Sequence, residues 1–164
     1  DCLHAASHEE RRKERKVRTG YGRPMRAERL TRAPEGGERI TVDSLELNGR
    51  TGVAGDCRSA KDGSVSLLSG EAEASVRGLG GLCTERFQGN ILTNGLDYSH
   101  LHAGARLQIG ESELEITRVG KSCFEVCALV KRSETCPLPG NCAFARVLRG
   151  GVIHTGDEIE YCGR

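Results

Sequence analysis

Four cysteines stand close together in the last third of the chain, in a segment punctuated by glycine and proline. Cys123, Cys127, Cys136 and Cys142 have the spacing C-x3-C-x8-C-x5-C. Thiols gathered by turns can hold a soft metal, form disulfides, or leave one reactive thiolate that the others support. Structural zinc sites usually bring their ligands in C-x2-C pairs, and this spacing is looser. A zinc or iron-sulfur site therefore stays an alternative to a reactive thiol.

Cys123 has the sequence environment of a reactive thiol. It follows Lys121 and Ser122 at the end of a predicted strand, and Arg118 lies nearby in the chain. Positive charge near a thiol favours the thiolate, which is the form that attacks sulfur and binds metal. The alternative is an inert buried cysteine, since free cysteine is among the most buried residue types. The basic neighbours favour Cys123 as the functional thiol, with Lys121 assisting it.

Cationic and amide side chains that could hold an anionic ligand are scattered along the chain. They are Arg86, Asn90, Arg118, Lys121 and Arg146. Such donors clamp phosphate- or sulfur-bearing groups when a fold brings them together, so a small-molecule ligand is expected. The five histidines form no HExxH signature, and the chain has neither a P-loop nor a Gly-x-Ser-x-Gly motif.

Length and composition predict one domain in a reducing compartment. A chain of 164 residues can bury a sizeable core, whereas disulfide frameworks mostly staple shorter chains that cannot. We therefore expect the eight cysteines to be reduced and the protein to be cytoplasmic. No apolar run approaches the roughly 18 residues of a membrane span, so no membrane association is expected.

The first residues are polar and basic. Ser7 and Glu10 have the spacing of a helix capping box, and almost nothing apolar follows them. Charges of both signs run from Glu9 to Arg32, a pattern typical of a solvated helical face. The segment has one aromatic residue, Tyr21, so nucleic acid is not the expected partner. The glycines after Thr19 read as a linker, which predicts an extension over 1–24 and a compact domain over 25–164.

Short strands dominate that domain. Apolar residues alternate with polar ones around Ile40 and Leu45, and Val65 begins a short apolar run. Two alternating runs on either side of residues 110–112 predict a hairpin, residues 71–76 predict a short helix, and residues 143–148 fit helix or strand. With 22 glycines to supply turns and bends, the pattern predicts a mainly β, barrel-like fold with short helical inserts.

Several blocks of the chain resemble the small stand-alone MOSC domains, a family named for the C-terminal domain of molybdenum-cofactor sulfurases. The resemblance runs in order from Met25 to Tyr161. Its blocks are GVAGD at 52–56, SVSLLS at 64–69, RFQGNILTNGLD at 86–97, GKSC at 120–123, FARVLRGG at 144–151 and GDEI at 156–159.

The resemblance implies a β-barrel-type fold and a role with sulfur or the molybdenum cofactor. The cysteine matching Cys123 is the presumed functional thiol of that family, carrying sulfur as a persulfide or, in enzymatic relatives, ligating molybdenum. Arg86 and Asn90 match positions that help to hold the pterin. The implied partners are a sulfur-donor enzyme or another molybdenum-cofactor protein.

The chain departs from the family pattern at three places. Cys57 and Arg58 follow the Gly-Asp pair where the family often has a small residue and then histidine. Gly89 stands where a glutamate is common, which weakens the expected cofactor contacts, and Cys142 is an addition that keeps the metal alternative open.

Two functions from different classes follow. The first is a sulfur carrier or molybdenum-cofactor-binding protein, either a sulfurtransferase or a cofactor-dependent reductase, in which Cys123 is the thiolate or molybdenum ligand. In this case Arg118 and Arg146 would join Arg86 and Asn90 around the ligand. The second is a non-catalytic module in which the four clustered cysteines hold zinc or an iron-sulfur centre. A third, weaker alternative is an adaptor that docks through its basic extension.

Overall fold

Short strands make up most of the part of the chain that the structure describes, which is residues 24–77, 88–121 and 136–162 of a computed structural model. In chain order the strands are β1 (Arg26–Arg32), β2 (Ile40–Val42), β3 (Ser44–Asn48), β4 (Gly52–Val53), β5 (Ser64–Ser69), β6 (Ile91–Asn94), β7 (Arg106–Ile109), β8 (Ser112–Val119), β9 (Cys142–Arg149), β10 (Gly151–His154) and β11 (Ile159–Cys162). The helical elements in these ranges are α1 (Gly70–Val76) and 3₁₀ turns at Ser59–Lys61, Tyr98–His100 and Leu138–Gly140. The predicted mainly β architecture with short helical inserts is confirmed.

Eight strands form one curled sheet in the order β11-β7-β8-β9-β5-β6-β1-β2. Strands β10, β3 and β4 form a smaller sheet in that order. Neighbours in the large sheet are antiparallel except β5 and β6, which run parallel. Parallel neighbours need a crossover connection, and α1 begins it directly after β5. The Ser69 side chain caps this helix by accepting a hydrogen bond from the amide of Ala72 at 3.1 Å.

Two apolar clusters lie on opposite faces of the central strands. The larger one, the main core, includes Leu67 of β5, Ile91 of β6 and Ala143 of β9. The smaller one, the second core, consists of Leu68, Ala72, Val76, Leu92, Leu138 and Cys142. Because successive side chains of a strand point to opposite faces, adjacent residues such as Leu67 and Leu68 enter different clusters. The face that carries the second core is called the outer face below.

The strands predicted from apolar patterns are all present. These are β2, β3, β5 and the β7–β8 hairpin, whose Ile109 pairs with Ser112 across the predicted turn. The predicted helix is α1, and residues 143–148 lie in β9.

The helical reading of the charged segment is wrong at its end, where Arg26, Arg29 and Arg32 lie on β1. The strand is compatible with this charge because Arg29 forms an ion pair with Glu73 of α1 at 2.7 Å. Residues 1–23 lie outside the described ranges, so the extension over 1–24 stays a prediction. No helix within the described ranges is long and apolar enough to cross a membrane.

Substitution of a central residue of the main core should destabilise the fold strongly. Leu114 is fully buried on β8, so Leu114→Ala removes apolar contacts and leaves a cavity. We expect a loss of about 2–5 kcal/mol in the free energy of unfolding, measured by urea titration. Leu148→Ala, at a side chain 38% exposed on β9, is the matched control and should change it by less than about 1 kcal/mol. Equal losses would contradict the assignment of the two faces.

Candidate functional site

Described residues on the borders of two segments, one containing Arg86 and one containing Cys123, pack on the second core. Helix α1 and the 3₁₀ turn at Leu138–Gly140 pack there over β5, β6 and β9, with Cys136 against the same cluster. The segment that contains Arg86 leaves after Arg77 and returns at Gln88. The segment that contains Cys123 and Cys127 leaves after Lys121 and returns at Cys136. Arg86, Cys123 and Cys127 themselves lie outside the described residues.

Backbone hydrogen bonds fix the end of β8 against this 3₁₀ turn. The amide of Gly120 donates to the carbonyl of Cys142 at 2.8 Å, and the amide of Lys121 donates to the carbonyl of Pro139 at 3.2 Å. Gly120 has φ +84°, and a Cβ there would lie 2.8 Å from the Pro139 oxygen, so this approach requires glycine. The chain therefore enters the Cys123 segment from a fixed point beside the outer face.

The two described cysteines of the clustered set have different surroundings. Cys142 is fully buried in the second core, and its thiol points to the Pro139 carbonyl at 3.8 Å. Cys136 is half-buried at the edge of the same cluster. Among the residues that the structure describes, no group of three or more His, Cys, Asp or Glu side chains is placed to hold a metal ion. The four-cysteine alternative stays a prediction, because Cys123 and Cys127 fall outside these residues.

A buried carboxylate, that of Asp56, accepts hydrogen bonds from several parts of the chain at the other margin of the outer face, away from Lys121. Asp56 is 2% exposed, and its Oδ1 accepts hydrogen bonds from the amides of Arg58 at 2.9 Å and Ser59 at 2.8 Å. Its Oδ2 accepts from the amide of Ala33 at 2.8 Å and from Nδ2 of Asn90 at 2.9 Å. Burial acts to raise the pKa of Asp56, but these hydrogen bonds outweigh it and hold the pKa below its ordinary value.

Asn90 is the link from this carboxylate to the central strands. Its Oδ1 accepts hydrogen bonds from the amide and hydroxyl of Ser66, at 3.1 and 3.0 Å. Its Nδ2 donates to the carbonyl of Thr31 at 3.1 Å as well as to Asp56. Both donor hydrogens and the acceptor oxygen are thus used inside the protein. The geometry gives Asn90 the part of a positioning residue, and its direct contact with a cofactor stays a prediction.

Arg39 adds a mostly buried cation beside this network. Its side chain is 13% exposed, its Nη1 donates to the Thr31 hydroxyl at 3.0 Å, and its guanidinium lies 3.8 Å from Asp56 Oδ2. Its Nε is buried without a hydrogen-bond partner in the described residues. Burial lowers the pKa of Arg39, and the charge of Asp56 opposes this effect. The guanidinium is therefore a largely buried cation beside Asp56, with one donor unpaired among the described residues.

The outer face carries a row of polar and aromatic side chains across four strands. Asn90, at the start of β6, bonds Ser66 of β5, which pairs with Phe144 of β9, and Phe144 pairs with Arg118 of β8. The Arg118 guanidinium lies over the Phe144 ring, 4.5 Å from its centroid. At the usual spacing of strands the row spans about 14 Å. Arg118 thus lies at one end of this row and Arg39 at the other, beside Asp56, so a cation stands at each end of a polar surface.

Arg146 is turned to other partners. It lies on β9 beyond Phe144, and its Nη2 is 2.8 Å from Glu115 Oε1 on the neighbouring strand. It also stands four residues, or about 13 Å, from Cys142 and the second core. The structure therefore does not bring the Arg146 side chain together with Lys121, and its predicted ligand contact stays untested.

Several residues of this site had no role in the sequence-based prediction. Asp56 and Ser66 lie inside the family-like blocks, and a lone serine between Val65 and Leu67 is a signal for a polar contact in a buried strand. Arg39 has no such signal, because its partners Thr31 and Asp56 are distant in the chain.

Loss of the Asp56 charge should destabilise the fold at neutral pH. In Asp56→Asn, the side-chain NH₂ group is itself a donor and must point at N–H donors that in the unmodified chain bond a carboxylate oxygen. We therefore expect the free energy of unfolding to fall by about 2–4 kcal/mol at pH 7. A lowered pKa stabilises the fold above the unfolded value near 3.9 and ceases to do so as pH falls through the folded value. The difference from the unmodified chain should therefore shrink below about pH 4.

The matched control is Asp43→Asn, at an exposed carboxylate outside this network. Urea unfolding of both variants between pH 7 and pH 3 gives the measurement. A pH-independent loss in Asp56→Asn would show that packing, and not charge, is what the substitution removes.

Comparison with known proteins identifies the family but no closely related curated protein. The family model for the MOSC domain matches residues 56–160. No curated protein matches the chain significantly.

Solved structures share the fold at low sequence identity. YuaD from Bacillus subtilis is 19% identical with a TM-score of 0.61, over 87% of this chain and 98% of its own. YiiM from Escherichia coli is 18% identical with a TM-score of 0.55, over 83% of this chain and 70% of its own. YiiM from Geobacillus stearothermophilus is 15% identical with a TM-score of 0.56, over 86% and 76%. With the family model covering well over half of its residues, the chain belongs to the MOSC domain family.

Proposed function

We propose that this protein carries sulfur or binds the molybdenum cofactor through the thiolate of Cys123. The observation that supports this most is the fixed entry to the Cys123 segment, where Gly120 and Lys121 are bonded to Cys142 and Pro139 beside the outer face. A functional thiol needs such a rigid base, because loops carry chemistry best when a scaffold positions them.

The residues of the outer face fit an anionic ligand. Arg118 and Arg39 supply positive charge at opposite ends of the row, and the buried Nε of Arg39 has no partner among the described residues. Arg118 and Lys121 would hold the anionic part of a pterin cofactor, with Arg86 joining them as the family resemblance implies. Asn90 would keep the strands in register beneath it. When bound, the cofactor would supply a redox-active metal that accepts a thiolate ligand.

Sulfur transfer needs little from the protein beyond a positioned thiolate. The Cys123 sulfur would attack the outer sulfur of a donor persulfide, forming one S–S bond while the donor's own S–S bond breaks. The donor leaves as a thiolate that takes a proton from solvent. Lys121 and Arg118 favour the anionic form of the attacking thiol. Cys127 or Cys136 could then release the sulfur by forming a disulfide with Cys123.

Replacement of the functional thiol should abolish loading without unfolding the protein. We expect Cys123→Ala to lose persulfide sulfur, or molybdenum and pterin, by at least about tenfold in anaerobically purified protein. Elemental analysis, pterin fluorescence and mass spectrometry of the persulfide give the readouts. Cys162→Ala, at a half-buried cysteine on β11, is the control and should keep the load. Full loading of Cys123→Ala would refute the assignment even though the family holds.

The four-cysteine metal module is the second candidate, because Cys142 belongs to the second core and Cys136 packs against it. If they are auxiliary thiols, Cys136→Ser should change the free energy of unfolding by no more than about 1–2 kcal/mol. If they hold zinc or iron, the same change should release the metal and cost several kcal/mol, since metal binding is then folding energy. We expect the smaller effect, with metal content and urea unfolding measured on the same preparations.

A further inference from the structure

The loop after β4 presents a thiol in a fixed position at the protein surface. Cys57 is exposed, and its amide donates a hydrogen bond to the carbonyl of Ala33 at 2.8 Å. Its Sγ lies 3.9 Å from the carbonyl of Pro34, and the preceding Asp56 is anchored by four N–H donors. The backbone at Cys57 is therefore anchored, and this site does not depend on the proposed role of Cys123.

Arginines lie on the same loop as this thiol or beside it. Within the described residues the Arg39 side chain makes one hydrogen bond, to Thr31, and its Nε is buried without a partner. It also lies 3.8 Å from Asp56, but four N–H donors already occupy that carboxylate. The Arg58 side chain has no ion pair or hydrogen bond to the described residues, although its own amide bonds Asp56.

The geometry places these groups at one loop. Cys57 and Arg58 directly follow Asp56, whose Oδ2 lies 3.8 Å from the Arg39 guanidinium. Arg32 adds a third guanidinium at the same loop, 3.4 Å from the Gly55 carbonyl. Within the described residues, the exposed carboxylates Glu35 and Glu38 of the adjoining turn form no ion pair with these arginines.

We propose that Cys57, Arg58 and Arg39 form a thiolation site that selects disulfides bearing carboxylates. A carboxylate of such a disulfide would pair with Arg58, and the nearby charge of Arg39 would favour the same anion, which brings its sulfur to Cys57. Two guanidinium groups favour this ligand over a neutral or cationic one, since guanidinium binds carboxylate by charge-assisted hydrogen bonds. The reaction places a bulky anionic group beside the Asp56–Asn90 network, at the margin of the outer face.

The exchange is balanced with a single co-reactant. Cys57 loses its proton to solvent, and its sulfur attacks one sulfur of the disulfide. A new S–S bond forms as the original one breaks, and the leaving half departs as a thiolate that takes up a proton. Cys57 is oxidised and the leaving half is reduced. A free thiol of the same class reverses the step.

Three small disulfides of different charge test the site on the full-length reduced chain. They are oxidised glutathione, which is anionic, 2-hydroxyethyl disulfide, which is neutral, and cystamine, which is cationic. Trypsin places Cys57 in residues 51–58 and Cys162 in residues 150–164, so peptide mass spectrometry follows both thiols at once. The measured quantity is the rate of modification by oxidised glutathione divided by the rate of modification by cystamine. We expect this ratio to be about tenfold higher at Cys57 than at Cys162, and to fall in high salt.

Arg58→Gln keeps the backbone amide that bonds Asp56, and circular dichroism checks that it folds. It should reduce the preference of Cys57 for glutathione over cystamine several-fold while leaving the rate with 2-hydroxyethyl disulfide within about twofold. The proposal is overturned if cystamine reacts with Cys57 as fast as glutathione. It is equally overturned if Arg58→Gln, properly folded, keeps the full preference.

Discussion

The buried carboxylate of Asp56 is the constraint on which the outer face depends. An isolated charge at this depth would be prohibitively unfavourable, so the surrounding chain must bring N–H donors to it. Four do so, and they come from the end of β1, from the loop after β4 and, through Asn90, from the start of β6. Because Asn90 also bonds Ser66, the same carboxylate indirectly fixes β5. One ionised group thereby sets the positions of three strands.

The parallel pairing of β5 with β6 accounts for the place where α1 leaves the sheet. A crossover must leave the sheet and return to it, and α1 begins that path by packing on Leu68 and Leu92 of the second core. The 3₁₀ turn before β9 packs on the same cluster. The residues that precede 78–87 and those that follow 122–135 therefore pack on one small apolar cluster, and such a rigid scaffold suits a ligand site.

The sequence predicted the elements whose signal is local. Alternation and a glycine turn are enough for the β7–β8 hairpin, and the apolar run at Val65 is enough for β5. Strand β1 was missed because Arg26, Arg29 and Arg32 read as a solvated charged face, although Arg29 is paired with Glu73 of a distant helix. The Asp56–Asn90 network was missed because its partners are also far apart in the chain. Its hydrogen bonds join residues 24 and 34 positions apart, and no local sequence pattern predicts such pairs.

Two of the three departures from the pattern that the resemblance suggests lie directly beside Asp56 and Asn90 in the chain. Gly89 precedes Asn90, has φ +66°, and would place a Cβ 3.1 Å from the Cβ of Leu68. A glutamate there would be strained and crowded, so in this chain the position serves a close passage of the backbone and cannot offer a carboxylate. After Asp56, Cys57 stands in the place of the small residue of the pattern and Arg58 in the place of its histidine. Since Asp56 and Asn90 are 2.9 Å apart, both changes alter one margin of the outer face while its supporting hydrogen bonds stay intact.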